Sequence, residues 1–400
     1  PGERVLFRYA KIRRQHDEGL ASEVLKASAQ RVAPKCPHFG VCGGCSLQHM
    51  EPGAQIGMKQ GVLAEVLRRI GKVEPLEWLA PLCAEHWGYR RKARLGVRYV
   101  AKKGRVLVGF RERGTSYVAD LARCDVLHPE VGGRLRAIAG VVDALSIRER
   151  VPQIEMAMGD GPCVLIFRVL ERPTGEDMER LHRFGEDIGF HIYLQEGGVE
   201  SVRPLPGHGV VLAYGLPRFG VEIQFEPTDF TQVNLELNRS MVERAVALLA
   251  PGGNDRILDL FCGLGNFTLP LARRAARVVG VEGDDRLVAR ARANARENGI
   301  DNVDFHVADL YGDLEPEGWG CHHFDKALLD PPRSGALQVI DRLPPMGVRR
   351  ILYVSCYPST LARDADRLVN HLGYRLLAAG AMDMFPHTAH TESIAVFERG

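Results

Sequence analysis

Residues 256–272, RILDLFCGLGNFTLPLA, are typical of a buried strand that runs through a glycine-rich turn into a helix. Gly263 and Gly265 in this turn let the main chain approach a ligand closely. Glu282 ends the next predicted strand, where a carboxylate can accept hydrogen bonds from both ribose hydroxyls. Thr268 stands where a dinucleotide-binding turn needs its third glycine or alanine. The turn therefore favours an adenosine ligand without a pyrophosphate, which is S-adenosylmethionine.

The chain after this turn alternates strands with helices, which predicts an α/β fold with a parallel sheet covered on both faces. The predicted helices are 235–250, 266–276, 284–299 and 359–371. The predicted strands are 256–262, 277–283, 303–308, 325–330, 349–355, 374–383 and 393–399. Ligands of such sheets bind outside the carboxyl ends of the strands, so we expect the functional site there.

The chain has 400 residues, which is too long for one ordinary domain. A strand is predicted over 5–9, a helix over 53–70, and mostly strands over 88–225 with helices near 130–147 and 175–188. The predicted domains are therefore an N-terminal strand segment, a cysteine-rich loop with its helix, a central β-rich domain and an α/β domain, with the bounds 1–30, 31–87, 88–228 and 229–400.

The composition is that of a globular protein, with 45% hydrophobic and 26% charged residues. No apolar run approaches the ~18 residues of a membrane helix, and the start lacks a signal peptide, so we expect a cytoplasmic protein. The sequence begins at Pro1, which suggests a truncated start. Nine cysteines without a signal peptide favour metal-binding or catalytic thiols over disulfides.

Residues 88–113 hold ten Lys or Arg residues against one acid, Glu112, although the whole chain has a net charge of only +2. Lys92, Arg94 and Arg98 alternate along one predicted strand and would share a face. Most charge runs are solvated faces. This concentration nevertheless predicts a surface that binds RNA phosphates.

Cys36, Cys42 and Cys45 follow the spacing C-x5-C-x2-C. Cys124 is the best candidate for a fourth ligand by its context. The alternatives for that fourth ligand are Cys83 and Cys163. Four thiolates suit either a structural zinc or a [4Fe–4S] cluster, and the spacing does not separate them. The neighbouring His38 and His49 leave a mixed zinc site open, and unligated cysteines are the remaining alternative.

Asp330 and Cys356 each follow a predicted strand end, and Glu392 lies just before the last strand. The helix that follows Cys356 predicts a lowered thiol pKa. A thiolate, a carboxylate and a methyl donor together suggest methylation of uracil at C5. The thiolate adds to C6, the resulting enolate takes the methyl group at C5, and a base removes the C5 proton. Alone, a strand-end cysteine is more often a buried packing residue, and Glu392 a solvated charge.

Over residues 30–400 the chain resembles the RNA uracil-C5 methyltransferases, and most closely their large-subunit rRNA members. The motifs that carry the resemblance are the cysteine spacing, PTDFTQVN (227–234), DLFCGLGNFTLPLA (259–272), DPPR (330–333), SCYPST (355–360) and HTAHTE (387–392). The resemblance implies that Cys356 is the nucleophile and Glu392 the base. It implies a methyl-donor site formed by Gln232, Phe261, Asn266, Glu282, Asp309 and Asp330. Tyr357 departs from the family, which usually has Asn there.

The resemblance also implies a [4Fe–4S] cluster with Cys124 as its fourth ligand, in a structural role. Residues 1–30 resemble the tail of a TRAM-type (OB-like) β-barrel, and their PGERV start favours one rRNA subfamily over another that methylates a different 23S rRNA uridine. The tRNA members lack the cysteine cluster. The predicted partner is therefore 23S rRNA, the product 5-methyluridine, and the expected RNA contacts are Phe230, Asp330, Arg90, Arg91, Lys92 and Arg94.

The sequence leaves open two interpretations from other functional classes. An NAD-dependent oxidoreductase could use the GLGNFT turn, but it would leave Cys356 and the basic stretch unexplained. A non-catalytic RNA-binding iron–sulfur protein would bind RNA without methylating it.

Overall fold

The hydrophobic strands of the C-terminal half form one eight-stranded sheet in the computed structural model, which describes residues 2–14, 17–312 and 318–400. Its strands are β3 Glu77–Trp78, β12 Arg256–Leu260, β13 Arg277–Glu282, β14 Val303–Val307, β15 Lys326–Leu329, β16 Arg350–Ser355, β17 Arg375–Met382 and β18 Glu392–Glu398. Their order across the sheet is β14-β13-β12-β15-β16-β18-β17-β3. In this sheet β18 runs antiparallel to both neighbours and the other pairings are parallel.

Helices cover both faces of this sheet, as the alternation of strands and helices predicts. They are α5 Leu235–Leu249, α6 Thr268–Ala272, α7 Asp285–Glu297, α8 Leu337–Ile340 and α9 Pro358–Asp366. Successive residues of β16 point to opposite faces, so that Ile351 and Tyr353 join one hydrophobic cluster while Leu352 and Val354 join another. The α/β prediction is confirmed, and the sheet is parallel as predicted except where β18 pairs with β16 and β17. Helix α6 is shorter than the predicted 266–276.

The central part forms a six-stranded sheet in the order β5-β4-β6-β7-β8-β9, with helices packed on it. The strands are β4 Lys92–Val100, β5 Arg105–Gly109, β6 Gln153–Met158, β7 Cys163–Arg168, β8 Phe190–Gln195 and β9 Arg203–Pro204. The helices are α2 Pro129–Gly132, α3 Leu135–Asp143 and α4 Gly175–Ile188. A hairpin of β10 (Leu212–Leu216) and β11 (Val221–Phe225) packs instead into the core of the α/β domain.

The N-terminal part differs from its predicted boundaries. Strands β1 (Arg4–Ile12) and β2 (Asp17–Lys26) form an exposed antiparallel hairpin, and among the described residues these two strands form no barrel. Helix α1 (Pro52–Val66) ends in a widened turn and packs on α9 and β17, and β3 extends the large sheet. Residues 52–78 therefore pack as part of the α/β domain. In the described ranges, no helix is long and apolar enough to cross a membrane.

Candidate active site

A cleft of about 570 Å³ lies at the carboxyl ends of the parallel strands. Every residue that the sequence analysis assigned to the methyl donor or to catalysis lines it, namely Gln232, Phe261, Asn266, Glu282, Asp309, Asp330, Cys356 and Glu392. Phe230 lies at its mouth and is 71% exposed. The structure thus brings together in one site residues that lie more than 160 positions apart in the sequence.

The glycine-rich turn shapes one wall of the cleft. Phe261, Gly263 and Gly265 have positive φ angles of 63°, 53° and 90°, a conformation that suits the two glycines and strains the phenylalanine. The Glu282 carboxylate accepts hydrogen bonds from the amides of Gly263 at 3.1 Å and Gly283 at 2.7 Å. These bonds fix the carboxylate at the end of β13.

Asp259 lies beneath this turn and is not part of the cleft lining. Its carboxyl group accepts a hydrogen bond of 2.5 Å from the Thr268 hydroxyl. Burial raises the pKa of Asp259 to about 7. Thr268, at the position of the third glycine of a dinucleotide turn, thus makes an internal hydrogen bond beneath the turn.

Two residues behind Asn266 were missed by the sequence analysis. The side-chain oxygen of Asn266 accepts hydrogen bonds from the Tyr214 hydroxyl and from the Asn238 amide, both at 2.9 Å. The Asn266 amide donates in return to the Asn238 oxygen at 3.0 Å. Tyr214 comes from the β10–β11 hairpin, so no local pattern around the glycine turn could have indicated it.

Sheet pairing brings the nucleophile and base candidates together. The antiparallel register of β16 and β18 aligns Ser355 with Ser393. Their neighbours Cys356 and Glu392 therefore lie at the same end of the sheet. Asp330 follows β15, which is the other neighbour of β16. A thiol and two carboxyl groups consequently share one end of the cleft.

The electrostatics of this group contradict the lowered thiol pKa expected from the sequence. Burial, followed by the carboxyl groups of Glu392 and Asp330, raises the pKa of Cys356 to about 11. The helix that begins at Pro358 does not outweigh these effects. Burial likewise raises the pKa of Glu392 to about 8 and that of Asp330 to about 7.

Arg333 provides the positive charge that opposes these shifts. It follows β15 in the DPPR motif, lines the cleft and acts to lower the pKa of both Cys356 and Glu392. Its guanidinium lies 3.5 Å from Nδ1 of His390, a second cleft residue to which the sequence analysis gave no role. The arrangement can stabilise a thiolate and provide a carboxylate that accepts a proton.

A second cavity lies in the loop of residues 34–49, the cysteine loop, where it meets the central sheet. Cys36, Cys42, Cys45 and Cys124 all line it. The two alternative fourth ligands lie elsewhere, because Cys83 is exposed and Cys163 is buried within β7. The ring of His38 also lines the cavity, but its Nε2 accepts a hydrogen bond of 3.4 Å from an amide.

The thiols of this cavity influence one another. Burial, with further repulsion from the other three cysteines, raises the pKa of Cys45 to about 12. The pKa values of Cys42 and Cys124 are also raised by burial. Such thiols ionise readily only when a cation binds them. In the part of the chain that the structure describes, no group of three or more His, Cys, Asp or Glu side chains is arranged to hold a metal ion.

The basic residues predicted to contact RNA make internal contacts on β4 and just before it. Lys92 donates hydrogen bonds to the carbonyl oxygens of Pro227 and Asp229, and burial lowers its pKa to about 8. Arg91 donates to the Gly159 carbonyl at 2.6 Å. Lys92 therefore connects the central sheet with the segment that leads to Phe230 and Gln232, whereas the Arg91 side chain bonds within the central part.

Two further predicted RNA contacts have other surroundings. Arg90 donates to the Lys92 carbonyl at 3.0 Å and its guanidinium lies 5.4 Å from the centre of the Phe110 ring. Arg94 is exposed and pairs with Glu155 at 3.0 Å. Of the four basic residues predicted to contact RNA, Arg94 is the one whose side chain is exposed.

Known sequences that are similar to this chain identify its family. The sequence profile of the tRNA (Uracil-5-)-methyltransferase family matches residues 220–309 and 317–399. A Methylococcus capsulatus protein named 23S rRNA (uracil(1939)-C(5))-methyltransferase RlmD is 54% identical over 400 residues, which are 100% of this chain and 90% of that protein. A protein of the same name from Xanthomonas campestris pv. campestris is 52% identical over 399 residues, with the same shares.

Among solved structures, the tRNA (uracil-54, C5)-methyltransferase of Pyrococcus abyssi, in complex with S-adenosyl-L-homocysteine, has a TM-score of 0.75. It is 24% identical, and the match covers 99% of this chain and 93% of that one, so it supports the fold alone. The full-length similarity to the RlmD proteins, with the profile match over the α/β domain, shows that this chain belongs to the family of RNA uracil-C5 methyltransferases, which use S-adenosylmethionine as methyl donor.

Proposed function

We propose that this enzyme transfers a methyl group from S-adenosylmethionine to C5 of a uridine in 23S rRNA, at the position numbered 1939 in the names of its relatives. The observation that carries the proposal is the meeting of Cys356 and Glu392 at one end of the cleft, beside the glycine turn. Family membership argues against the oxidoreductase and non-catalytic interpretations.

Cys356 starts the reaction. Its thiolate adds to C6 of a uracil that has been flipped out of the RNA and into the cleft. A bond forms between Sγ and C6, and the electron pair of the C5–C6 double bond moves to C5 and O4. Arg333 supports the thiolate by its positive charge. S-adenosylmethionine, when bound, would supply an electrophilic methyl group to the C5 atom; its sulfur–methyl bond would break and leave S-adenosylhomocysteine.

Glu392 completes the reaction. Its carboxylate takes the proton from C5, the C5–C6 double bond re-forms, and the Cys356 thiolate leaves. The raised pKa of Glu392, about 8, suits a group that must accept a proton near neutral pH. Asp330 is buried beside both groups and is suited to hold the uracil by a hydrogen bond, and Phe230 to pack against the base.

The donor would be held by the other side of the cleft. Glu282 has a carboxylate fixed by main-chain amides, which suits the ribose hydroxyls. Gln232, Phe261, Asn266 and Asp309 complete this donor site. Tyr214 and Asn238 would orient Asn266 through the hydrogen bonds described above.

We also propose that Cys36, Cys42, Cys45 and Cys124 bind a [4Fe–4S] cluster that stabilises the cysteine loop. The four thiols line one cavity, and their raised pKa values disfavour ionisation without a cation. We expect purified protein to contain about four irons per chain. Cys45→Ala should lose the iron and the brown colour and reduce the soluble yield, whereas Cys83→Ala should retain all three. A stable, active Cys45→Ala variant would contradict the structural role.

The exposed N-terminal hairpin and Arg94 remain the proposed RNA-binding elements outside the cleft. The hairpin resembles part of a TRAM-type barrel in sequence, and Arg94 faces solvent on β4.

A methyl-transfer assay tests the proposed function. The protein is incubated with labelled S-adenosylmethionine and with 23S rRNA fragments, and the product nucleosides are separated. We expect 5-methyluridine in one fragment, and none when the target uridine is replaced by cytidine. Methylation of tRNA with no methylation of any 23S fragment would contradict the proposed substrate.

A further inference from the structure

His387 lies five residues before Glu392 and has an unusual backbone conformation. Its φ angle is 65°, in the left-handed region that costs a residue other than glycine or asparagine free energy. The residue is also buried, with 3% of its surface exposed. Backbone strain of this kind persists only where the surroundings enforce it, and it concentrates at functional sites.

The contacts that enforce this conformation come from outside the large sheet. Gln55 of α1 accepts a hydrogen bond from the His387 amide at 2.9 Å, and its own amide lies 3.3 Å from Nδ1 of the His387 ring. The His387 carbonyl accepts hydrogen bonds from the amides of Ser46 at 2.8 Å and Leu47 at 2.9 Å, both in the cysteine loop. The ring stacks on Trp87 with 4.0 Å between centroids.

His387 belongs to the β17–β18 connection, residues 383–391, which is also fixed at its start. The connection begins at Asp383, which pairs with Lys59 of α1 at 2.5 Å. Both side chains are fully buried. Lys59 also donates to the Phe385 carbonyl at 3.1 Å. The connection therefore reaches Glu392 with its path set by α1 and by the cysteine loop.

We propose that Gln55 and the cysteine-loop amides act as positioning groups for Glu392. They hold His387 in its left-handed conformation and thereby set the Glu392 carboxylate against C5 of the bound uracil. This inference rests on the proposed function. It gives the cysteine loop a part in the proton-removal step that is distinct from any contact with RNA.

The predicted defect is specific to one step. If Glu392 moves, Cys356 still adds to C6 and the methyl group is still transferred, but the C5 proton leaves slowly. The enzyme then remains covalently attached to methylated RNA. A displacement of about 1 Å can slow such a step about 100-fold. We therefore expect Gln55→Ala and His387→Ala to accumulate an adduct that resists denaturation, using RNA with ordinary uridine.

Replacements at His387 separate conformation from stability. Asparagine and glycine tolerate a positive φ, whereas alanine does so poorly. His387→Asn and His387→Gly should therefore release RNA at least several-fold faster than His387→Ala, although all three lose the ring contact with Trp87. The KM for RNA and the donor Kd should stay within about twofold of wild type, since the thiol and the donor side of the cleft are unchanged.

Two controls make the outcomes distinct. Asn302→Ala removes two hydrogen bonds to the carbonyls of Ala272 and Ala275 in the same domain, away from this connection, and should lower stability without adduct accumulation. Glu392→Gln should accumulate the adduct by itself. If it does not, the proposed function fails. If it does, the positioning role is wrong in either of two cases. In the first, Gln55→Ala and all three His387 variants release RNA at the wild-type rate. In the second, these variants lose activity only in proportion to stability, as Asn302→Ala does.

Discussion

The cleft and strand β4 use charged residues in opposite ways. In the cleft, Cys356, Asp330 and Glu392 are crowded together and burial raises the pKa of each. On β4, Lys92 and Arg94 have partners that satisfy them, main-chain carbonyls for the first and Glu155 for the second. The difference lies in what surrounds each group. Cys356 and Glu392 lie beside other ionisable groups that shift their pKa values, as reactive groups commonly do. Burial also shifts the pKa of Lys92, but its hydrogen bonds to main-chain carbonyls give it a structural role.

The largest expected effect separates a thiol of the cleft from a thiol of the central sheet, to which β4 belongs. Cys356→Ala should lower turnover by at least about 10³-fold while leaving the folding transition unchanged, because in the proposed mechanism this thiol forms the covalent bond. Cys163→Ala removes a buried thiol from β7 of the central sheet and should lower the melting temperature with turnover preserved. Turnover and thermal unfolding of the two variants test this contrast. Full activity of Cys356→Ala would contradict the proposed role of this thiol as the nucleophile.

A smaller effect is expected at β4. Lys92→Met withdraws the donor from the carbonyls of Pro227 and Asp229, which lie just before Phe230 and Gln232. We expect stability to fall and the donor Kd to rise about tenfold, which corresponds to about 1.4 kcal/mol. Calorimetric titration with S-adenosylmethionine measures this effect.

Arg94→Ala is the matched control on the same face of the strand. Because Arg94 is exposed, losing its pair with Glu155 should change stability by less than about 1 kcal/mol. Unchanged donor binding in Lys92→Met, with a weaker salt dependence of RNA binding, would instead make Lys92 a phosphate contact.

The smallest effect concerns protonation in the cleft. Glu392→Gln removes a negative charge beside Cys356 and should lower the pKa of that thiol. Since the thiolate is the reactive form, iodoacetamide should alkylate Cys356 several-fold faster at pH 8 in the variant than in wild type.

The wild-type pH profile follows from the same groups. Thiolate formation and Glu392 ionisation both increase with pH, with pKa values of about 11 and about 8. Alkylation and turnover of the wild type should therefore rise from pH 6 to pH 9. Slower alkylation in Glu392→Gln, or turnover that falls over this range, would show that the two groups do not interact as described.

The α/β domain could be predicted from sequence because its signals are local. The hydrophobic run 256–260, the glycines after it and Glu282 occupy consecutive elements, and each lies where the alternation of strands and helices indicates. The rule that ligands bind at the carboxyl ends of strands places Asp330 and Cys356 at the site. Glu392 joins them because β18 runs antiparallel to β16, which puts the start of β18 beside the end of β16.

The remaining features depend on contacts between distant segments. Burial by distant residues raises the thiol pKa of Cys356, and a pattern around residue 356 contains no information about that burial. The basic neighbours of Lys92 predict an RNA contact, and that stays a prediction. They contain no information about its hydrogen-bond partners, which lie 135 and 137 positions away. Tyr214 likewise reaches the cleft, and Gln55 reaches His387, from other parts of the chain, so that only the folded arrangement identifies them.

Trapping of the covalent intermediate examines the proposed chemistry itself. The protein is mixed with S-adenosylmethionine and 23S rRNA fragments that contain 5-fluorouridine, whose fluorine cannot leave as a proton does. We predict a denaturation-resistant protein–RNA adduct that peptide mapping assigns to Cys356 and that Cys356→Ala does not form. An adduct at another residue, or no adduct on any fragment although donor binding is confirmed, would contradict the assignment of Cys356 as the nucleophile of a 23S rRNA uracil methyltransferase.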